Sequence, residues 1–148
     1  MIFVTTGTTM PFDELIQEMD RLAAENAFNQ SIICQTGTSS IVPSHCEHFK
    51  FRPTIDDLIE QADAVITHGG STVLKLLKMR RPFVAVPNPR GADDHQGELL
   101  EALGQEVGLL WTRDIGNLKP LIHKALTNHV VDFDPPCFID DLVGYLNA

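Results

Sequence analysis

Short apolar runs alternate with segments of helical spacing along this chain, and Ala64-Val-Ile-Thr-His68-Gly69-Gly70-Ser71-Thr72 shows how one gives way to the other. The apolar run stops at a histidine, two glycines follow, and Ser-Thr opens the helical segment. Glycines let a backbone approach a ligand with no Cβ in the way. A Ser/Thr pair can cap a helix whose first free N–H groups point outward as an anion site. A second apolar run, Pro82-Phe-Val-Ala-Val-Pro87, leads into the polar loop Asn88-Pro-Arg-Gly-Ala-Asp-Asp-His95-Gln96. Together these read as the carboxyl end of a parallel sheet shaped for a nucleotide diphosphate.

The rest of the chain fits that frame. Met1-Ile-Phe-Val-Thr5 is continuously apolar, as a central parallel strand should be. Thr6-Gly7-Thr8-Thr9 is a turn, with Pro11 near the start of a helix that carries Ile16, Met19, Leu22 and Ala23 as far as Asn26. Ser31 to Gln35 reads as a strand followed by a turn-rich Thr36 to Ser40, and Phe49-Lys50-Phe51 as a short strand. Thr54 to Ala62 is expected to be a helix capped by Thr54, with Asp56 and Asp57 in its first turn. Strand Ala64–Thr67, helix Ser71–Met79, strand Phe83–Val86 and helix His95–Leu103 come next. A strand near Val107–Leu110 and a helix Leu118–Leu126 complete the body. Such alternation predicts an α/β fold with a doubly wound parallel sheet, Rossmann-like in the broad sense. Residues 1–133 form one α/β domain in this reading, and 134–148 a linker at Asp134-Pro-Pro136 with a terminal helix.

Charge and composition remove several functions. With 148 residues the chain suits one domain with one sizeable core. A net charge of −9 argues against nucleic acid, which needs a basic footprint, and against adsorption on anionic lipid. No apolar run reaches the roughly 20 residues a bilayer span requires, and the start has no secretory-signal pattern. Cys34, Cys46 and Cys137 lack metal-ligand spacing and read as reduced thiols of a cytoplasmic protein. Any bound phosphate must therefore be held by local amides, helix dipoles and a few placed cations.

Three loops at the carboxyl ends of the strands matter most: Thr5–Thr9, His68–Thr72 and Asn88–Gln96. The first is neither G-x-G-x-x-G nor a P-loop, which disfavours a dinucleotide cofactor or a nucleotide triphosphate. His68 is either a structural imidazole satisfying backbone groups or a catalytic residue. His45, His48, Asp93, Asp94 and His95 lack the spacing of a ligand set, and no metal is expected. Asp94-His95-Gln96 could bond sugar hydroxyls, cap the following helix, or do both.

Val4-Thr-Thr-Gly-Thr-Thr9-x-x-Phe12-Asp13-x-Leu15-Ile16 resembles the start of the donor-binding subunit of split N-acetylglucosaminyltransferases. Ala62-Asp-Ala-Val-Ile-Thr-His68-Gly-Gly-Ser-Thr72, continuing through Arg81 to Pro87 and Asp94-His-Gln96, resembles the same family. That subunit corresponds to the C-terminal half of a GT-B transferase, the glycosyltransferase family 28 C-terminal domain. Family versions act in lipid II, dolichol-linked oligosaccharide, and exopolysaccharide or capsule synthesis. The resemblance runs from about Met1 to Leu110. It implies that Gly7 and Thr8 face the diphosphate, that Ile55 meets the uracil base through its backbone, and that His68, Gly69, Gly70, Ser71 and Thr72 form the second phosphate-facing loop. His95 and Gln96 would lie near the donor sugar.

One position departs from the family pattern. Seven residues before Pro82, where family members carry a Glu for the ribose hydroxyls, this chain has Lys75. A carboxylate accepts from both hydroxyls, whereas an ammonium only donates. Lys75 could reach a phosphate instead, or be a solvated lysine beside Lys78.

The resemblance implies a UDP-sugar donor, no cofactor, metal-independent inverting transfer of a hexose or N-acetylhexosamine to a lipid-linked acceptor in surface polysaccharide synthesis, and a membrane-anchored acceptor-binding partner. That partner would supply the base and recruit the chain to the inner face of the membrane. The alternative is a non-catalytic subunit that has lost donor binding, for which Lys75 is the sequence feature. Ile139, Leu142, Val143 and Leu146 give the terminal helix an apolar face, for its own core or for the partner.

Overall fold

The structure, a computed structural model, describes residues 1–7, 10–68, 72–89, 100–101 and 109–127. Five strands build its sheet: β1 (Ile2–Thr5), β2 (Ile32–Gln35), β3 (Glu47–Phe49), β4 (Ala64–Thr67) and β5 (Phe83–Ala85). All neighbours pair in parallel, in the order β3-β2-β1-β4-β5. Helices with described bounds that cover it are α1 (Asp13–Ala24), α2 (Asp56–Gln61), α3 (Thr72–Met79) and α4 (Leu118–Leu126), the last entered through a 3-10 turn at Ile115–Asn117.

Side chains alternate across a strand, so each strand serves two cores at once. Ile2 and Val4, Ala64 and Ile66, and Val84 and Val86 face one side with Ile16, Met19 and Leu22 of α1 and Leu118 and Ile122 of α4. Phe3, Val65, Phe83 and Ala85 face the other side with Leu58 and Ile59 of α2 and Val73, Leu76 and Leu77 of α3. Helices on both faces make the sheet doubly wound, as the alternation of segments predicts. Fully burying one such aliphatic side chain contributes about 1.5–3 kcal/mol relative to leaving it in water.

The helix ends show why the elements stop where they do. Asn26 takes φ 52° after α1, and the Ala27 N–H donates to the Leu22 carbonyl at 3.1 Å. Arg80 does the same after α3, at φ 54°, with the Arg81 N–H on the Leu76 carbonyl at 3.2 Å. Both are Schellman closures, which satisfy carbonyls that a helix end would otherwise orphan. The front of α1 is fixed across the chain. The Phe12 N–H donates to Ser39 Oγ at 2.8 Å, and the Asp13 carboxylate accepts from Ser40 N at 3.0 Å and Ser40 Oγ at 2.9 Å.

Three expectations shift. The short strand lies at Glu47–Phe49 rather than at residues 49–51, because Phe49 pairs with Gln35 and Lys50 has already left the ladder. The residue before α2 is Ile55, while Thr54 Oγ1 accepts from the Asp56 N–H at 3.2 Å in a local turn. Leu109 and Leu110 are not in a strand. The segment instead touches β5 through one parallel bridge, Ala85 to Trp111, with Ala85 N on the Leu110 carbonyl and Thr112 N on the Ala85 carbonyl, both 3.1 Å. The helix expected at His95–Leu103 is described only at Leu100 and Glu101, and the terminal helix lies outside the described residues.

Candidate functional site

β1 runs on toward α1 on one face of the sheet, while its neighbour β4 runs on toward α3 on the other. Adjacent strands whose connections diverge open a crevice at their carboxyl ends, the usual ligand position in such sheets. Gly7 and His68 are the residues that meet there.

Gly7 has φ 79°, a region that suits glycine. A Cβ on it would lie 2.8 Å from both Cε1 and Nε2 of His68. Gly37, after β2, has φ 58°, and a Cβ there would fall 2.6 Å from the Gly7 carbonyl oxygen. Three loops thus close on one point, and two of them require glycine to do so. Sequence reading singles out Gly7 and His68 but passes over Gly37 as part of a turn-rich stretch, although its Thr-Gly-Thr setting mirrors that of Gly7.

Beneath this point runs a polar rung across an otherwise apolar sheet. Thr67, Thr5 and Gln35 stand in register on adjacent strands, and all three are buried. Thr5 Oγ1 donates to Gln35 Oε1 at 2.7 Å, and Thr6 Oγ1 lies 3.1 Å from the Gln35 carbonyl and 3.2 Å from that of Thr36. The Gly7 N–H reaches back to Thr5 Oγ1 at 3.5 Å. Among the described residues, Thr67 Oγ1 and His68 Nδ1 here are buried with no hydrogen-bond partner. Burial pushes the His68 imidazole below its ordinary pKa, and a hydrogen bond to the Thr5 backbone works the other way. The ring is therefore neutral at pH 7, with one donor and one acceptor nitrogen.

Among the remaining predicted residues, Thr72 is the first residue of α3 and half-buried. Ile55 directly precedes α2, packs partly on the second core, and accepts from the Ile59 N–H at 3.0 Å. Lys75 lies on the exposed face of α3, and its Nζ donates to Asp56 Oδ1 at 2.6 Å, joining α3 to α2. Thr8, Gly69, Gly70, Ser71, His95 and Gln96 lie outside the described residues.

A cleft of about 220 Å³ lies beside the crevice on the α1 side, lined by residues including Phe12, Pro87, Asn88, Pro89 and Ile115. Asn88 Nδ2 donates to the Pro11 carbonyl at 3.0 Å there, fixing the β5 exit against the approach to α1. Among the described residues no group of His, Cys, Asp and Glu side chains converges as a metal site. His45 is occupied locally, its backbone N–H donating to Asp20 Oδ1 at 2.7 Å. No helix among the described residues is long and apolar enough to cross a membrane.

Comparison with known proteins bears on the family and the fold. The chain is 31% identical over 122 residues to the UDP-N-acetylglucosamine transferase subunit ALG13 of Homo sapiens, a match covering 74% of this chain and 11% of that protein. It is 30% identical over 103 residues to the UDP-N-acetylglucosamine--N-acetylmuramyl-(pentapeptide) pyrophosphoryl-undecaprenol N-acetylglucosamine transferase of Opitutus terrae, covering 61% of this chain and 26% of that one. The chain thus spans about a tenth of the mammalian relatives' length and about a quarter of the bacterial one. In fold it resembles a solution structure of ALG13, with TM-score 0.65 and 19% identity, covering 99% of this chain and 96% of that one. It also resembles Acinetobacter baumannii MurG, with TM-score 0.63 and 16% identity, covering 98% of this chain and 44% of that one. The sheet is accordingly that of the C-terminal half of a GT-B transferase. The model of the glycosyltransferase family 28 C-terminal domain matches residues 1–129, and the chain belongs to that family.

Proposed function

We propose that this chain is the donor-binding subunit of a two-component glycosyltransferase, holding a UDP-sugar for transfer to a lipid-linked acceptor. The observation that carries the reading is the packing of Gly7 on His68 where β1 and β4 diverge, in a chain of a glycosyltransferase family. The relatives' names favour N-acetylglucosamine as the sugar and a polyprenyl diphosphate as the acceptor's lipid.

The chemistry follows from where charge develops. As the glycosidic bond breaks, negative charge grows on the leaving diphosphate. Backbone N–H groups at the start of α3 are fixed dipoles that would stabilise it without reorganising. His68, neutral and packed on Gly7, would offer a hydrogen bond to the same group without a competing charge. A base for the acceptor hydroxyl, the acceptor site and a membrane anchor would come from a partner subunit, which would hold this chain at the cytoplasmic face.

Calorimetric titration of the chain with UDP and a panel of UDP-sugars tests this. Saturable UDP binding, strengthened by one sugar, supports the donor role and names the substrate. An absence of binding both to the chain and to the chain with its partner would sink it, leaving the reading of a non-catalytic subunit.

A further inference from the structure

We infer that Cys34 and Cys46 form a dithiol pair that a low-molecular-weight disulfide oxidises reversibly to an intramolecular bridge. The inference does not depend on what the crevice binds. Cys34 lies on β2, fully buried in the core beneath α1, and Cys46, one residue before β3, packs against the same core. Cys34 is in register with His48, and residues two apart share a face, which places Cys46 on the face of Cys34. The Cys34 S–H donates to Cys46 Sγ, and the Cys46 S–H reaches the Met19 carbonyl at 3.8 Å. Neither sulfur is in a disulfide. Residues 36–46 hold no helix or strand, so the approach that an S–S bond of about 2 Å demands falls on irregular chain.

The two sulfurs have unequal parts. Cys46 is partly exposed, and the hydrogen bond from Cys34 draws its thiol below the ordinary pKa, against burial and the Asp20 carboxylate. The same bond, with burial, pushes the Cys34 thiol up. His45 Nδ1, 3.5 Å from Asp20 Oδ1, faces that carboxylate from the chain just before Cys46. The Cys46 thiolate therefore attacks first: the small S–S bond breaks, one small thiolate leaves, and a mixed disulfide forms at Cys46. Capture removes the charge that held the Cys34 proton. Cys34 then attacks Cys46 Sγ, and the second small thiolate leaves and takes up that proton. Two protein thiols are oxidised, and one small disulfide is reduced to two thiols. The bridge closes a loop containing Gly37, which stands against the Gly7 carbonyl, and Ser39 and Ser40, which hold the front of α1.

Oxidised glutathione added to the full chain in a Cys137→Ser background tests this, read by intact mass and peptide mapping. The expected product is lighter by two hydrogens, links the peptides of residues 34 and 46, and reverts with dithiothreitol. Cys46→Ser should take up no glutathione, because Cys34 is buried. Cys34→Ala should stop at a glutathione adduct on Cys46, formed roughly threefold more slowly as the thiolate loses its donor. Circular dichroism establishes that each variant is folded. A chain with both cysteines that stays reduced, or that keeps a stable glutathione adduct on Cys46, overturns the inference. So does a bridge that forms only in urea.

Discussion

The imidazole of His68 occupies the space that a side chain on residue 7 would need: a Cβ at Gly7 would stand 2.8 Å from two of its ring atoms. The two residues are far apart in sequence but end adjacent strands, so each limits what the other can be.

Gly7→Ala should therefore destabilise the protein through two separable effects. The left-handed φ of 79° costs roughly 1–2 kcal/mol for a residue with a Cβ, and the clash with the ring adds a similar amount. Adding His68→Ala should relieve the second effect and leave the first. Urea unfolding of the two single variants and the double variant checks this, and strict additivity would refute the contact.

His68 should also make stability depend on pH. Burial places its folded pKa below the unfolded value near 6.5. Below that value the unfolded chain binds the proton more readily than the folded one, so stability falls with pH from about 6.5 until the folded pKa is passed. His68→Gln should flatten this part of the profile. Asp20 acts in a lower window: burial raises it, but the backbone N–H groups of His45 and Ser44 outweigh that and hold it below 3.8. Urea midpoints between pH 5 and pH 8 separate the two, and an unaltered slope in His68→Gln would assign the dependence elsewhere.

Thr67→Val should be neutral or stabilising, by up to about 1–2 kcal/mol. The hydroxyl is buried without a partner, and a methyl of nearly the same shape removes its desolvation cost. A thermal melt gives the sign. If the variant is stable but binds UDP less well, the hydroxyl serves the ligand.

Asp13→Ala should loosen the β2 exit. Its carboxylate accepts two hydrogen bonds from Ser40, and losing them at an exposed site should cost about 1 kcal/mol. Amide exchange should rise first at Ser40, and unchanged protection there would show that Phe12 N on Ser39 Oγ is enough.

Much of this was legible in the sequence, for local reasons. Ile2–Thr5 is buried on both faces and reads as an uninterrupted apolar run, and Leu118–Leu126 has a clear helical stripe with the expected bounds. The short strand was placed two residues late, at 49–51 and not Glu47–Phe49, because an edge strand with Glu47 and His48 exposed has no apolar signature. Gly7 and His68 were marked by turn chemistry beside strand ends. The Lys75–Asp56 pair, the Thr5–Gln35 bond and the role of Gly37 were not legible. Each depends on which strands or helices become neighbours, and periodicity within one segment does not encode that.

The margins of the sheet limit how other chains can approach. At one side β3 is only three residues long, with Glu47 and His48 exposed and the Arg52 guanidinium 4.5 Å above the Phe49 ring. At the other, residues 110–112 lie along β5 and occupy its Ala85 backbone groups. Short, charged or covered margins resist the addition of a foreign strand. The partner subunit proposed above would then meet the helical layers or the carboxyl rim, where docking and ligand capture would share one surface.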